Sequence, residues 1–183
     1  HTVAINIASV FFILPLSFGL AAATRIGNLV GEKNLLQAKY ASHVAVLICL
    51  IGAIANTIII LAFREALVSL YTADVAVMAI AINLLLFAAI FQIPDGMQMG
   101  ALGSLRGYKD TFAPMLMLIL TYWFIALPGG YYLTYHGISS NSLGPAGIWI
   151  GMITGLAAFA CLIIPRLNYI ANKFIARTNP ELP

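Results

Sequence analysis

The chain has 183 residues, of which 62% are hydrophobic and 8% are charged, and its formal net charge at pH 7 is +3. Soluble globular domains carry charge on about a quarter of their residues, so this composition excludes an ordinary soluble protein. The nine Lys and Arg residues are scattered between apolar runs and form no basic face. We therefore expect a protein that lies in membrane lipid and binds no nucleic acid.

Five apolar segments are long enough to cross a bilayer, which requires about 20 residues of helix. They cover approximately residues 2–24, 41–63, 76–102, 112–135 and 146–169, and a polar tail covers 171–183. The sequence therefore predicts an all-α polytopic membrane protein with five transmembrane helices within residues 1–170. The first segment lacks an initiator methionine and a preceding positive stretch, so we expect no signal peptide and further helices upstream in a longer protein.

The loops between these segments predict an orientation. If alternate loops share a side, one side carries Arg64 alone, and the other carries eight positive residues. These are Arg25, Lys33, Lys39, Arg106, Lys109, Arg166, Lys173 and Arg177. Because cytoplasmic loops carry the excess of Lys and Arg, we expect the eight-charge side, and with it the C-terminus, to be cytoplasmic.

Small residues predict close contacts between helices. Gly147, Gly151 and Gly155 recur at every fourth position, as do Gly96 and Gly100. Small residues at this spacing let transmembrane helices approach closely. We interpret these glycines as packing positions.

Other polar side chains inside the apolar segments have a structural interpretation. Intramembrane amides usually form interhelical hydrogen bonds, and we expect this of Asn6, Asn56 and Asn83. Free cysteines behave as small hydrophobic residues. We therefore expect Cys49 and Cys161 to be buried and inert.

Asp95 is the one acidic residue inside an apolar segment, where an ionised side chain costs at least ~2.5–3.5 kcal/mol. Gln92 and Gln98 lie three residues to either side, on the same helical face, and Phe91 lies beside them. Pro94 removes a backbone donor next to the carboxylate. We expect an oxygen-rich pocket that binds a cation such as Na⁺, or a proton, or an organic cation that also contacts Phe91. Structural pairing of Asp95 with an upstream basic residue is the alternative.

Catalytic patterns are absent from the sequence. It contains no His-Glu-x-x-His, no Gly-rich phosphate loop in a nucleotide-binding context and no second intramembrane carboxylate. We therefore predict a protein that is not an enzyme and that requires no cofactor.

Three stretches together resemble the multidrug and toxic compound extrusion (MATE) transporters. Residues 15–31 resemble the end of a helix in that family, residues 95–110 its tenth helix and the exit from it, and residues 144–155 the start of its twelfth helix. The resemblance covers nearly the whole chain in the same order and is closest to the NorM-type branch. It implies twelve helices in two six-helix lobes, with this chain forming helices eight to twelve and the N-terminal lobe as its partner.

The resemblance also implies a function. The family exports cationic, often aromatic drugs and dyes from the bacterial cytoplasm by alternating access, in exchange for Na⁺ or H⁺. Asp95 occupies the position of the acidic residue of the tenth helix that takes part in cation coupling or substrate binding. Some NorM-type members have a tyrosine one turn before this acid, whereas this chain has Phe91.

Three alternatives remain open on the sequence. A lipid-linked oligosaccharide flippase of the same superfamily would need several basic residues in its cavity. A membrane-embedded enzyme using Asp95 as acid or base would need a second acid, a metal or a nucleophile elsewhere. A structural subunit would tolerate neutralisation of Asp95.

Overall fold

The computed structural model describes residues 2–137 and 143–178 of the chain. The described residues are helical, in the order α1 (Thr2–Gly31), α2 (Leu35–Ser69), α3 (Val75–Gly107), α4 (Phe112–Thr121), α5 (Leu127–Tyr135) and α6 (Pro145–Thr178). A π-helical segment, Tyr122–Ala126, joins α4 to α5. We call it the π segment.

Five stretches are long and apolar enough to cross a membrane, with α4, the π segment and α5 together forming the fourth. The predicted all-α fold with five spans is therefore confirmed. The helices also extend beyond the apolar segments, because polar residues continue a helix outside the hydrocarbon. Residues 171–178, assigned to the polar tail on sequence grounds, continue α6, and 179–183 lie outside the described residues.

Helix α3 is central, with α1, α2 and α6 packed against it. Its glycines make these contacts close: a Cβ at Gly96 would lie 2.8 Å from the Cys49 carbonyl oxygen on α2, and one at Gly100 would lie 2.7 Å from the Val46 Cα. Gly103 likewise meets the backbone of Gly19 on α1. The predicted role of these glycines in packing is confirmed for α3.

A second close contact joins α6 to α5 and the π segment. A Cβ at Gly147 would lie 2.5 Å from the Thr134 backbone nitrogen, and one at Gly155 would lie 2.5 Å from the Ala126 Cβ. Gly151 faces the backbone of Gly130. The packing role is confirmed here also.

The ends of the bundle differ in charge. The end at which α1 and α3 finish carries the eight positive residues named above, and we call it the basic end. There the Arg166 Nε donates a hydrogen bond of 2.8 Å to Asp110 Oδ2, which connects α6 to the turn after α3. His43 of α2 also reaches α6, with its Nε2 2.8 Å from Asn168 Oδ1.

The remaining predictions for polar side chains and cysteines are confirmed at some positions and wrong at others. Asn56 Nδ2 donates to the Phe11 carbonyl oxygen over 2.8 Å, so the interhelical hydrogen bond is confirmed there. Asn6 and Asn83 are exposed instead, and for them this prediction is wrong within the described chain. Cys49 is buried as expected, but Cys161 is exposed, because no described helix covers its face of α6.

Candidate functional site

The apolar core falls into two clusters, and Asp95 lies on α3 between them. One cluster, nearer the basic end, includes Ala101 and Leu105, and the other includes Leu85 and Ala89. The stretch between them holds buried polar residues, among them Asp95, which is 3% exposed. A carboxylate buried at this depth requires a compensating partner.

Among the described residues, only one oxygen of that carboxylate has a hydrogen-bond partner. Gln98 Nε2 donates a hydrogen bond of 2.7 Å to Asp95 Oδ1. Asp95 Oδ2 is buried and accepts no hydrogen bond from the described residues. The carboxylate is thus held in position by one oxygen and has the other available to bind a cation.

The backbone differs on the two sides of Asp95. Pro94, immediately before it, has no N–H to donate to the carbonyl one turn earlier. The following turns carry Gly96 and Gly100, which hold α3 against α2 at backbone distance. Asp95 therefore projects from a closely packed part of α3 toward the opposite side, where α1 and α6 lie.

A cavity of about 350 Å³ opens at this point. Its lining residues come from four elements: Ile5, Ala8, Ser9 and Phe12 of α1, Phe91, Asp95 and Gln98 of α3, Tyr122 of the π segment, and Trp149 and Met152 of α6. The volume lies in the range of small-molecule binding sites, roughly 300–1,000 Å³. Its walls are apolar and aromatic, with Asp95 as the acidic side chain among them.

Aromatic rings form much of this wall. Phe91 and Trp149 meet edge to face, with ring centroids 5.9 Å apart and an interplanar angle of 86°. Aromatic faces attract cations, more strongly where water is excluded. A carboxylate beside such rings suits an organic cation with an aromatic body.

Of the four predicted site residues, Phe91, Asp95 and Gln98 share this cavity and Gln92 does not line it. Gln92 is 1% exposed and its Nε2 lies 3.4 Å from the Ala8 carbonyl oxygen of α1. At 3.6 residues per turn, Gln92 and Gln98 point about 120° apart around α3. The two amides, which were expected on one helical face, therefore contact different neighbours.

Sequence reasoning missed the contributions of the other helices, above all Tyr122 and Trp149. Both lie in segments identified only as apolar, and nothing in hydropathy assigns their faces. Within residues 2–137 and 143–178, no three His, Cys, Asp or Glu side chains come together as metal ligands.

The fold is that of a polytopic helical membrane protein, with a buried carboxylate at the wall of an aromatic cavity. Comparison with known proteins identifies the family: the MatE family model matches residues 1–132. The chain therefore belongs to the MatE family.

Curated relatives agree with this assignment. The chain is 41% identical over 170 residues to "Multidrug resistance protein NorM" of Photobacterium profundum, covering 93% of this chain and 37% of that protein. It is 37% identical over 177 residues to "Multidrug resistance protein MdtK" of Pectobacterium atrosepticum, covering 97% of this chain and 39% of that protein. The predicted likeness to NorM-type MATE proteins is confirmed, and the chain spans less than two fifths of their length.

A solved structure shows the same fold. The crystal structure of the eukaryotic MATE transporter AtDTX14 superimposes with a TM-score of 0.85 at 22% identity, covering 96% of this chain and 40% of that one.

Proposed function

We propose that this chain forms helices eight to twelve, in the C-terminal lobe, of a cation-coupled multidrug antiporter. The family assignment supports this proposal, as do relatives whose names describe multidrug resistance. The observation that carries it is the available oxygen of Asp95, buried at the wall of an aromatic cavity within a membrane span. The N-terminal lobe would be the partner that completes the transport path.

In the proposed cycle, Asp95 binds a coupling cation in one state and a cationic, aromatic drug in another. Each ligand shifts the equilibrium between inward-open and outward-open states only by its difference in affinity for the two. Competition for one carboxylate makes the two ligands mutually exclusive, because cation binding removes the charge that holds the drug.

The coupling ion is Na⁺ or H⁺. A proton needs only the carboxylate, whereas Na⁺ needs several oxygen atoms. Within the described cavity these are the Asp95 carboxylate, the Gln98 amide and the hydroxyls of Ser9 and Tyr122. Gln92, which lies outside the lining, would support the helix rather than bind an ion directly.

The basic end is proposed to be cytoplasmic, which makes this a multi-pass protein of the bacterial inner membrane with its C-terminus inside. The excess of Lys and Arg at that end supports this orientation. Drug export would then run from the basic end toward the end that carries Arg64.

The test is Asp95→Asn in the full-length transporter that carries this chain, reconstituted in vesicles. Ethidium efflux is followed by fluorescence while an inward Na⁺ or H⁺ gradient is imposed. The amide keeps the size of the side chain and removes its charge, so coupled efflux is expected to be lost at normal expression. Glu65→Gln, an exposed acid on α2, is the matched control and is expected to transport normally. Gradient-driven efflux at the unmodified rate by Asp95→Asn would refute the assignment.

A further inference from the structure

We propose that Tyr122 is a second substrate-contacting residue of this cavity and that the π segment is what orients it. This inference rests on the proposed function. It starts from an irregularity of the backbone in the fourth span: the Leu127 N–H donates to the carbonyl of Tyr122, five residues earlier. Such a wide turn is uncommon and recurs at functional sites.

The local sequence accounts for the wide turn. Pro128 follows it at the start of α5. A proline within a helix has no N–H and its ring collides with the carbonyl four residues earlier, which here belongs to Phe124. A turn that contains one additional residue relieves this collision and keeps the span helical on both sides.

The π segment is fixed on its α6 side. Ala126 is 4% exposed, and a Cβ at Gly155 would lie 2.5 Å from its Cβ. One turn further, Gly130 packs against the backbone of Gly151. The part of the span that follows the π segment is therefore fixed against α6. The rotation about the helix axis between this part and the residues before the π segment determines where those residues point.

The additional residue of the wide turn changes this rotation. Tyr122 and Gly130 are eight residues apart, so in an uninterrupted α-helix they would point about 80° apart around the axis. With one residue taken up by the wide turn, they point about 20° apart. Tyr122 is thereby brought onto the face that meets α6 and the Asp95 cavity.

Tyr122 also lies at the boundary between two cavities. It lines the Asp95 cavity and a second cavity of about 350 Å³, whose walls include Gly130, Tyr131 and Thr134. Met152 is the other residue common to both linings. The second cavity extends along α5, away from the basic end. A cation that leaves Asp95 in the proposed export direction passes the Tyr122 ring.

The chemistry of Tyr122 fits a planar aromatic cation. Its ring offers a face for stacking and for cation–π attraction, while its hydroxyl offers an acceptor beside the carboxylate of Asp95. The neighbouring Trp123 and Phe124 are 65% and 74% exposed. They point away from both cavities and serve as controls on the same segment.

The first experiment measures equilibrium binding of ethidium to the purified full-length transporter by fluorescence anisotropy. Tyr122→Ala is expected to raise the Kd roughly tenfold, Tyr122→Phe to raise it less, and Trp123→Ala to leave it unchanged. Pro128→Ala removes the collision that the wide turn relieves, so that the turn can return to α-helical geometry and point Tyr122 away from the cavity. It is expected to weaken binding as Tyr122→Ala does, with no further loss when both changes are combined.

A second measurement does not depend on the Pro128→Ala variant folding. In a full-length background with every native cysteine replaced by alanine, Cys49 and Cys161 among them, Tyr122→Cys and Trp123→Cys are labelled with a methanethiosulfonate reagent. Ethidium is expected to slow labelling at position 122 and not at position 123.

The outcomes separate this inference from the function on which it rests. If Asp95→Asn loses coupled efflux but Tyr122→Ala binds ethidium as the unmodified protein does, or position 122 is not protected, the role of Tyr122 is refuted. If the unmodified transporter binds no ethidium, or Asp95→Asn transports normally, the proposed function fails and the role of Tyr122 fails with it.

Discussion

The substitution Gly100→Ala adds one methyl group at a close contact between the backbones of α2 and α3. The new Cβ would lie 2.7 Å from the Val46 Cα and 3.0 Å from the Ala45 carbonyl oxygen, whereas ordinary contacts begin at 3.4 Å. Both neighbours are backbone atoms and cannot rotate away, so the helices must separate by roughly 0.7 Å. Overpacking of this kind costs about 1–3 kcal/mol.

The same substitution has a favourable part, which a control isolates. Alanine is preferred over glycine within a helix by about 1 kcal/mol. Gly129 lies in α5, and a Cβ added there would meet no neighbouring atom within 4 Å, so Gly129→Ala should gain this preference without a collision. We expect Gly129→Ala to be stabilising by about 1 kcal/mol, and Gly100→Ala to be about 1–3 kcal/mol less stable than Gly129→Ala.

The measurement is the thermal unfolding midpoint of the full-length transporter in detergent, followed by tryptophan fluorescence. Packing is the main force between helices in lipid, because apolar surface gains little there by leaving the solvent. A midpoint for Gly100→Ala equal to or above that of Gly129→Ala would refute the close approach of α2 and α3. It would also remove the argument that α3 holds Asp95 rigidly.

Two further predictions concern polar contacts between helices. The Asp110–Arg166 pair connects α6 to the end of α3 and is partly exposed. A double-mutant cycle on thermal stability with Asp110→Asn and Arg166→Gln should therefore give a coupling energy of about 0.5–1 kcal/mol. Additive effects of the two changes would contradict the pairing. Asn56→Leu removes the hydrogen bond to α1 and should destabilise the protein by about 0.6 kcal/mol. Asn83→Leu, at an exposed position, should be neutral or stabilising. Equal effects of the two substitutions would contradict the assignment of Asn56 as the interhelical contact.

Features that repeat along the sequence were the ones that sequence reasoning could predict. Five spans follow from hydropathy, because each is a run of apolar residues about as long as a bilayer is thick. The glycine contacts follow from spacing, because residues four apart share a helical face. Asp95 was identifiable from its charge alone, and Phe91 and Gln98 because they lie within one turn of it on a single helix.

Features that depend on the direction in which a side chain points around its helix, or on partner helices, could not be predicted. Hydropathy does not change when one residue is added to a turn, so the π segment leaves no trace in it. Proline is an insufficient signal, since Pro15, Pro94 and Pro165 lie within α-helices. Tyr122 and Trp149 reach the cavity because of how α6 and the π segment pack against each other, which single-segment patterns do not contain.

The position of the cavity follows from where glycines do not bring the helices together. Glycines bring α3 to backbone contact with α1 and α2, and other glycines bring α6 to backbone contact with α5 and the π segment. Between these two closely packed groups, α3 meets α6 through large rings, with Phe91 and Trp149 edge to face. Bulky side chains hold helices apart where glycines do not, and the space that results lies beside Asp95. The same sequence pattern that makes each group of helices rigid thus leaves an aromatic opening between them, at the depth where the buried carboxylate has one oxygen available.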